Sequence, residues 1–317
     1  MKIGVSACLL GEKCRYDGAG NRDDFVVEQL ASYFELVPYC PEAIIFGTPR
    51  ESIRLVDVDG EIRVISNKLQ KDVTKALTDI SETLALKAFD DKLCGFIFKS
   101  KSPSCGVERV KLYQNNGSNM CEKKATGLFA HAVQQKQPFL PVEEEGRLND
   151  PWLKENFLMQ IFAYRDLDEF LQSEPAMHKL IEFHTSYKYL IYAKSHQSYK
   201  ALGAIVANSE KKEFASLLQE YKESFLKAIA LKGDRKKTYN VLLHILGYFK
   251  KDISPEEKEH ILSSCDEYKE GIIPLIAVIK LLNLYVKRFD HPYLKKQKFL
   301  NPYPKELALR SDVGAYK

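Results

Sequence analysis

Phe96-Ile97-Phe98-Lys99-Ser100-Lys101-Ser102-Pro103-Ser104-Cys105-Gly106 runs from three consecutive apolar residues straight into a polar turn. An uninterrupted apolar run of this kind reads as a strand buried on both faces, the pattern of a parallel-sheet interior. Pro103 stiffens the chain on one side of Cys105 and Gly106 frees it on the other. Cys105 therefore stands at a strand exit. The same setting occurs twice more, at Cys8 after Lys2-Ile3-Gly4-Val5-Ser6-Ala7 and at Cys40 after Leu36-Val37-Pro38. In an open α/β sheet the loops at the carboxyl ends of the strands form the ligand crevice. Three thiols so placed can converge there although they are far apart in sequence.

Outward from that stretch, strands and helices alternate. Strands are predicted at Lys2–Ala7, Phe34–Val37, Cys94–Lys99 and Val107–Tyr113, and Asp23 is placed to cap a helix reaching about Tyr33. Pro38-Tyr39-Cys40-Pro41-Glu42 reads as a rigid loop held by two prolines. Ile53–Val58 and Glu61–Ser66 flank Asp59-Gly60, a two-residue hairpin signal. In Asp72–Phe89, Val73, Leu77, Ile80, Leu84 and Ala88 recur at helical spacing. Thr126–Gln134 reads as a short helix, Pro138–Asp150 as a loop and Pro151–Phe170 as a helix.

The first half is thus an α/β domain with a mostly parallel, Rossmann-like sheet, assigned to residues 1–170. Residues 171–317 read as an all-α domain, joined to it near Ser173-Glu174-Pro175. Its helices are expected at Leu180–Tyr199, around Phe214–Phe225, at Thr238–Lys250 and around Leu275–Val286, followed by a turn-rich tail from Asn301.

A chain of 317 residues with 45% hydrophobic and 28% charged side chains suits a globular protein of two domains. No apolar run has the length of a membrane span, so no membrane partner is expected. With no signal-peptide pattern at its start, the protein reads as cytoplasmic. Seven cysteines, an odd number, do not form a disulfide framework in a reducing compartment. Five of them (Cys8, Cys14, Cys40, Cys94, Cys105) lie in the first third, which favours a metal, cluster or catalytic use. Residues 1–166 hold 22 Lys/Arg against 24 Asp/Glu and residues 167–317 hold 25 against 19. The second half is the basic one, which suggests a polyanionic partner.

Cys8, Cys40 and Cys105 lack the close pairing of zinc ribbons. Each taken alone is as well explained as a small buried hydrophobe. Taken together, three thiolates without a fourth hold an iron–sulfur cluster with one iron open to substrate, or a zinc ion with one open position. Cys14 is a possible fourth ligand, Cys94 reads as structural, and Cys121 and Cys265 have no evident partner. Glu42 follows Cys40 by two residues and should face the same crevice, where a carboxylate can activate water or carry a proton. Its alternative is a salt bridge to Arg50 or Arg54. Ser102 and Ser104 flank Pro103 and offer hydroxyls to a cluster or a substrate, or serve only as turn formers. In the second half, Arg235, Lys236, Lys237, Lys250 and Lys251 gather charge with Tyr239, Tyr248 and Phe249 between them, which suits phosphate contacts with base stacking. A solvated helix face explains the charge equally well. His184 and His244 read as core histidines.

Val5-Ser6-Ala7-Cys8-Leu9-Leu10-Gly11, Cys14-Arg15-Tyr16-Asp17-Gly18, Cys40-Pro41-Glu42, Pro49-Arg50-Glu51, Asp72-Val73-Thr74 and Lys99–Gly106 together resemble the thiouracil desulfidase family. Phe183-His184-Thr185, Tyr248-Phe249-Lys250-Lys251, Pro274-Leu275-Ile276 and Asn301–Leu307 resemble a YbgA-like helical domain. The resemblance implies a [4Fe-4S] cluster on Cys8, Cys40 and Cys105 with one iron open. It places the active-site glutamate at Glu42 and the serines at Ser102 and Ser104. It further implies a hydrolytic, non-redox desulfidase of thiolated tRNA, acting on 4-thiouridine, with the helical domain gripping the RNA. Free thiopyrimidines are the alternative substrate, and a non-catalytic zinc or RNA-binding protein is the alternative class. One departure is Ala43-Ile44-Ile45-Phe46-Gly47 after Glu42, where the family pattern is richer in glycine.

Overall fold

The computed structural model describes residues 1–114 and 121–307. Two compact units divide the chain at Leu153/Lys154. That boundary falls earlier than the junction read near Ser173-Glu174-Pro175. Those residues are only a break between two helices of the second unit, so their turn chemistry marks a helix end and not a domain end.

The first unit contains two four-stranded sheets. One is wholly parallel, in the order β2 (Glu35–Tyr39), β1 (Lys2–Ser6), β5 (Phe96–Phe98), β8 (Val142–Glu144). This is the sheet expected from the alternating pattern, with one addition. β8 lies inside the segment read as a loop, because three residues with two glutamates carry no apolar run to reveal a strand. Both glutamates have internal partners instead. Glu144 accepts from the amides of Val107 and Glu108, and Glu143 bonds Arg147.

β1 is followed in space by β2 on one side and β5 on the other, so the chain reverses direction across the sheet between β1 and β5. That reversal is the switch point at which open α/β sheets place their ligands. Gly4 in β1 lets the sheet pack closely, since a Cβ there would lie 2.3 Å from a ring carbon of Phe96. Phe96 stacks on Phe98 at 3.9 Å between centroids, and both meet the edge of Phe129. Phe129 belongs to helix α3 (Leu128–Lys136). Burial of aromatics of this size contributes about 1.5–3 kcal/mol each and locks α3 against the sheet.

The second sheet has the order β4 (Glu61–Ser66), β3 (Ile53–Val58), β6 (Val110–Gln114), β7 (Cys121–Ala125). The hairpin at Asp59-Gly60 forms as read, with both residues at positive φ (54° and 88°). Leu55, Val64, Leu77, Val110, Leu112 and Ala125 make its core, and Leu77 comes from helix α2 (Thr74–Asp90). Asp23 caps its segment by accepting from the Val26 amide. The segment is helical as read, a π-helix over Phe25–Gln29 followed by a 3-10 helix over Leu30–Ser32, rather than a regular α-helix.

The second unit is helical, from α4 (Pro151–Gln172) through α5 (Met177–Lys194), α6 (His196–Ala207), α7 (Phe214–Ala230), α8 (Arg235–Leu246), α9 (Pro255–Glu270), α10 (Leu275–Arg288) and α11 (Pro292–Lys295). The helix read as Leu180–Tyr199 is in fact two, because Ser195 caps α6 by accepting from the Ser198 amide. His184 is a core histidine, 3.2 Å from the Tyr221 hydroxyl, and burial pushes it down to about 4. His244 is exposed rather than core. The tail beyond Leu307, read as turn-rich, lies outside the described residues. Among the described residues no helix is long and apolar enough to cross a membrane.

Candidate active site

Three thiols meet at the carboxyl end of the parallel sheet. Cys8 lies in the 3-10 turn Ala7–Leu10 that leaves β1, Cys40 follows β2, and Cys105 follows β5. These are three adjacent strands, so neighbouring strand ends deliver residues 8, 40 and 105 to one place. All three, with Cys14, line a single cavity of about 220 Å³. Glu42, Arg50, Ser6, Ser102 and Lys99 share its wall. All seven cysteines are free. Cys94 lies outside the cavity, with its thiol on the Lys2 carbonyl at 3.1 Å, which fits its structural reading. Cys121 and Cys265 are also absent from the cavity wall.

The Cys105 turn is built from its own sequence. The Ser102 hydroxyl accepts from the amides of Ser104 (3.2 Å) and Cys105 (3.1 Å), and the Ser102 carbonyl accepts from Gly106 at 2.9 Å. The first amides of α3 then point into the turn: Leu128 donates to the Pro103 carbonyl, and Phe129 and Ala130 to that of Ser104. An α-helix leaves its first amides without internal partners, and here the turn supplies them. Gly127 permits the approach. A Cβ there would lie 2.5 Å from the Ser104 carbonyl carbon and 2.9 Å from the Cys105 amide nitrogen. Gly127→Ala is therefore expected to push the Cys105 turn away, to destabilise the fold by about 1–3 kcal/mol, and to weaken retention of anything bound to the thiols. Thermal melting and metal content check this together.

Cys40 is held differently from the rigid loop read in the sequence. Pro38 and Tyr39 belong to β2, and Cys40 caps a short helix, α1 (Pro41–Phe46), with Pro41 at its first position. The glycine-poor run after Glu42 is this helix, and its Ile45 packs on the core of the second sheet. The Cys40 thiol donates to the Cys14 carbonyl at 3.7 Å.

Glu42 is the hub of the site. Its Oε2 accepts from Arg50 Nη2 (2.9 Å) and Nε (3.2 Å), and both side chains of this ion pair are nearly buried. Its Oε1 accepts from the Ser104 hydroxyl and, at 3.5 Å, from Ser102. The salt bridge to Arg50 forms, and the same carboxylate lines the cysteine cavity. Ser104 is fully buried and does not line the cavity, whereas Ser102 does. Arg50 Nη1 also donates to the carbonyls of Cys14 (2.8 Å) and Gly47 (3.1 Å), so one guanidinium ties the Glu42 helix to the Cys14 loop. Ser6 accepts from the Lys99 amide at 2.9 Å and joins the ends of β1 and β5. Lys99 in turn pairs with the nearly buried Glu145. The sequence assigns no site role to Ser6, Lys99 or Glu145, and Arg50 appears there as a salt-bridge partner and within the motif Pro49-Arg50-Glu51.

The surroundings of three of the thiols favour their protonated form. Burial first, then Glu42 and Cys40, push the Cys105 thiol up. The hydrogen bond with Cys14, then burial, push Cys40 up. At Cys14 a hydrogen bond with Cys40 favours the thiolate, but that with Cys8 and burial outweigh it and raise it to about 11. Thiols bind metal as thiolates, so a bound cation would reverse this balance. The donors fit an iron–sulfur cluster: they are soft sulfur ligands, they share one cavity, and the hydroxyls of Ser6 and Ser102 stand beside Cys105. Among the described residues no three His, Cys, Asp or Glu side chains are grouped around a point where a single metal ion would sit.

The basic residues of the second unit fall into two places. Arg235, Lys236 and Lys237 begin α8, and Lys250 and Lys251 follow its far end. Fifteen residues of helix put about 22 Å between them. The aromatics read as stacking partners are engaged within the unit. Phe249 is core, Tyr248 stacks on Tyr293 and bonds Tyr189, and Tyr239 bonds Asp266. Arg235 and Lys236 are exposed at a helix start, where cations oppose the helix dipole and local stability does not explain them.

Residues 3–145 match the family model described as 2-thiouracil desulfurase, and residues 188–304 match that described as a protein of unknown function, DUF1722. The uncharacterized protein YbbK of Bacillus subtilis (strain 168) is 34% identical over 155 residues, which are 46% of this chain and 97% of YbbK. The uncharacterized protein YbgA of Escherichia coli (strain K12) is 25% identical over 154 residues, which are 48% of this chain and 91% of YbgA. The solved structure of the [4Fe-4S]-dependent thiouracil desulfidase TudS aligns with 49% of this chain and 97% of its own, at 28% identity and a TM-score of 0.39. With its thiols gathered around Glu42 in the matched region, the chain belongs to the 2-thiouracil desulfurase family and carries a DUF1722 region after it.

Proposed function

We propose that the protein is a desulfidase that converts a thiolated pyrimidine, foremost 4-thiouridine in tRNA, to uridine by hydrolysis, releasing hydrogen sulfide. The observation that carries this reading is the convergence of Cys8, Cys40 and Cys105 on the cavity that Glu42 faces. The three cysteines would hold a [4Fe-4S] cluster. When bound, such a cluster supplies one open iron, a soft Lewis acid for a thiocarbonyl sulfur. That preference discriminates against ordinary uridine, which offers only a hard oxygen.

The chain's own groups do the proton work. Glu42 Oε1 is the acceptor for the water that attacks the carbon bearing sulfur, and the Ser104 hydroxyl holds that oxygen in place. Ser102 stands at the cavity wall, where its oxygen caps the turn and its proton, held by Glu42 only at 3.5 Å, can instead be donated to substrate. Arg50 fixes the other oxygen and keeps the carboxylate aimed. Lysine cannot reproduce four directed donations. Arg50→Lys is expected to lower kcat about 10–100-fold with metal content retained, as for groups that orient ligands from behind. Steady-state kinetics beside iron analysis check it.

The basic second unit supports tRNA as the substrate, with Arg235, Lys236, Lys237, Lys250 and Lys251 as phosphate contacts. The free cysteines support a cytoplasmic setting. The test is sulfide release from tRNA containing 4-thiouridine against release from free thiouracil, using anaerobically prepared protein. Turnover of neither substrate by cluster-loaded protein would overturn the reading.

A further inference from the structure

A second depression opens beside the cysteine cavity. It measures about 900 Å³ and shares Ile53, Ser100, Lys101 and Pro103 with the cavity wall. Its remaining walls come from the second sheet and from the turns that precede β6 and follow β8. Five cations face it: Arg54, Lys101, Arg109, Lys111 and Arg147. Two carboxylates also face it, and both are engaged. Glu108 pairs with Arg147, and Glu144 accepts from the amides of Val107 and Glu108. Arg147 also pairs with Glu143. The other four cations make no ion pair among the described residues. Arg54 has only neutral partners, the Gln70 side chain at 3.3 Å and the Tyr113 ring at 5.5 Å.

Lys101 and Arg109 also sit in the left-handed backbone region, at φ 62° and 58°. Side chains other than glycine and asparagine are disfavoured there. Backbone preference therefore does not account for a cation at either site. Uncompensated cations along a groove raise the local concentration of anions.

The cysteine cavity is small and must hold cofactor and base together. The shared wall puts the groove next to a ribose phosphate attached to that base. We infer that the groove bounded by Arg54, Lys101, Arg109 and Lys111 binds the phosphates of the sugar–phosphate chain attached to the reacting base. This inference rests on the proposed pyrimidine substrate. It places a phosphate-binding site on the catalytic unit itself, in addition to any on the helical one.

The test uses the full chain with Arg109→Ala and Lys111→Ala combined. Both side chains are exposed and neither touches the thiols or Glu42, so an unchanged melting curve is expected. Binding of a labelled single-stranded uridine-rich RNA without sulfur, read by fluorescence anisotropy against salt, should weaken about 10-fold. The slope of log K against log salt should become shallower by about 1.4, the amount for two lost single-strand phosphate contacts. Turnover of free thiouracil should stay within two-fold. Uridine monophosphate is the second probe. If its binding falls in parallel, the groove serves a single nucleotide; if only the RNA weakens, it serves the longer chain. Wild-type affinity and slope in the variant would overturn the inference, as would RNA binding lost only on Arg235→Ala with Lys236→Ala. A salt-dependent loss in the variant with no desulfuration of any substrate by the wild type would leave the groove standing and remove the desulfidase reading.

Discussion

Cys105→Ala yields a folded chain that no longer assembles an iron–sulfur cluster. The wild type, purified without oxygen, is expected to carry about four irons and four acid-labile sulfides per chain, the composition of a [4Fe-4S] centre. The variant loses nearly all of both. The fold tolerates the change because the turn is held by other groups: Ser102 caps it, Gly106 and Gly127 let it close, and α3 donates into its carbonyls. Removing one buried sulfur from that frame leaves a small void worth about 1 kcal/mol. The bound group does not tolerate it, because two remaining thiols leave a second iron without a protein ligand. Iron, zinc and sulfide analysis with far-ultraviolet circular dichroism separates the two effects. Zinc without sulfide in the wild type would remove the cluster and its Lewis-acid chemistry, and a non-catalytic RNA-binding protein would then be the leading reading.

Glu42→Gln keeps the metal content and loses the chemistry. Glutamine has nearly the same shape, so α1 and the Cys40 cap should persist. It replaces one carboxylate oxygen with an amide, which cannot accept a proton from water. General-base catalysis contributes about 10²–10⁴-fold, and kcat is expected to fall by that amount with a smaller change in KM. The substitution also leaves Arg50 as a buried cation without its carboxylate. A loss of about 3–5 kcal/mol is typical when one partner of a buried pair is removed, so melting must be measured alongside. Full activity in a folded, metal-loaded variant would reassign the proton acceptor.

The parallel sheet was legible because β5, one of its inner strands, is an unbroken run of buried apolar residues, and the hairpin because Asp59-Gly60 admits positive φ. β8 was not legible. Two glutamates in a three-residue strand look like a loop until the amides of Val107 and Glu108, and the Arg147 guanidinium, are seen to satisfy them. Seven residues after β8 the chain enters α4, and the helical unit begins within that helix rather than at the turn that follows it. The split of the basic cluster across the length of α8 was also invisible, since proximity in sequence measures distance along the helix and not on the surface.

Strand-exit cysteines, the Cys40-Pro41-Glu42 step and the Ser102–Gly106 turn are local features, and their backbone preferences suffice to place each thiol at the end of a strand. Which strands are neighbours depends on pairing between segments up to about a hundred residues apart, and only that pairing brings Cys8, Cys40 and Cys105 to one cavity. The clamp of Arg50 on Glu42 and Cys14, the buried Ser104 behind the carboxylate, and the cationic groove along the shared wall are likewise products of packing. A short-range pattern states what each side chain can do; charge compensation and burial, which decide what it does, are set by groups that arrive from elsewhere in the chain.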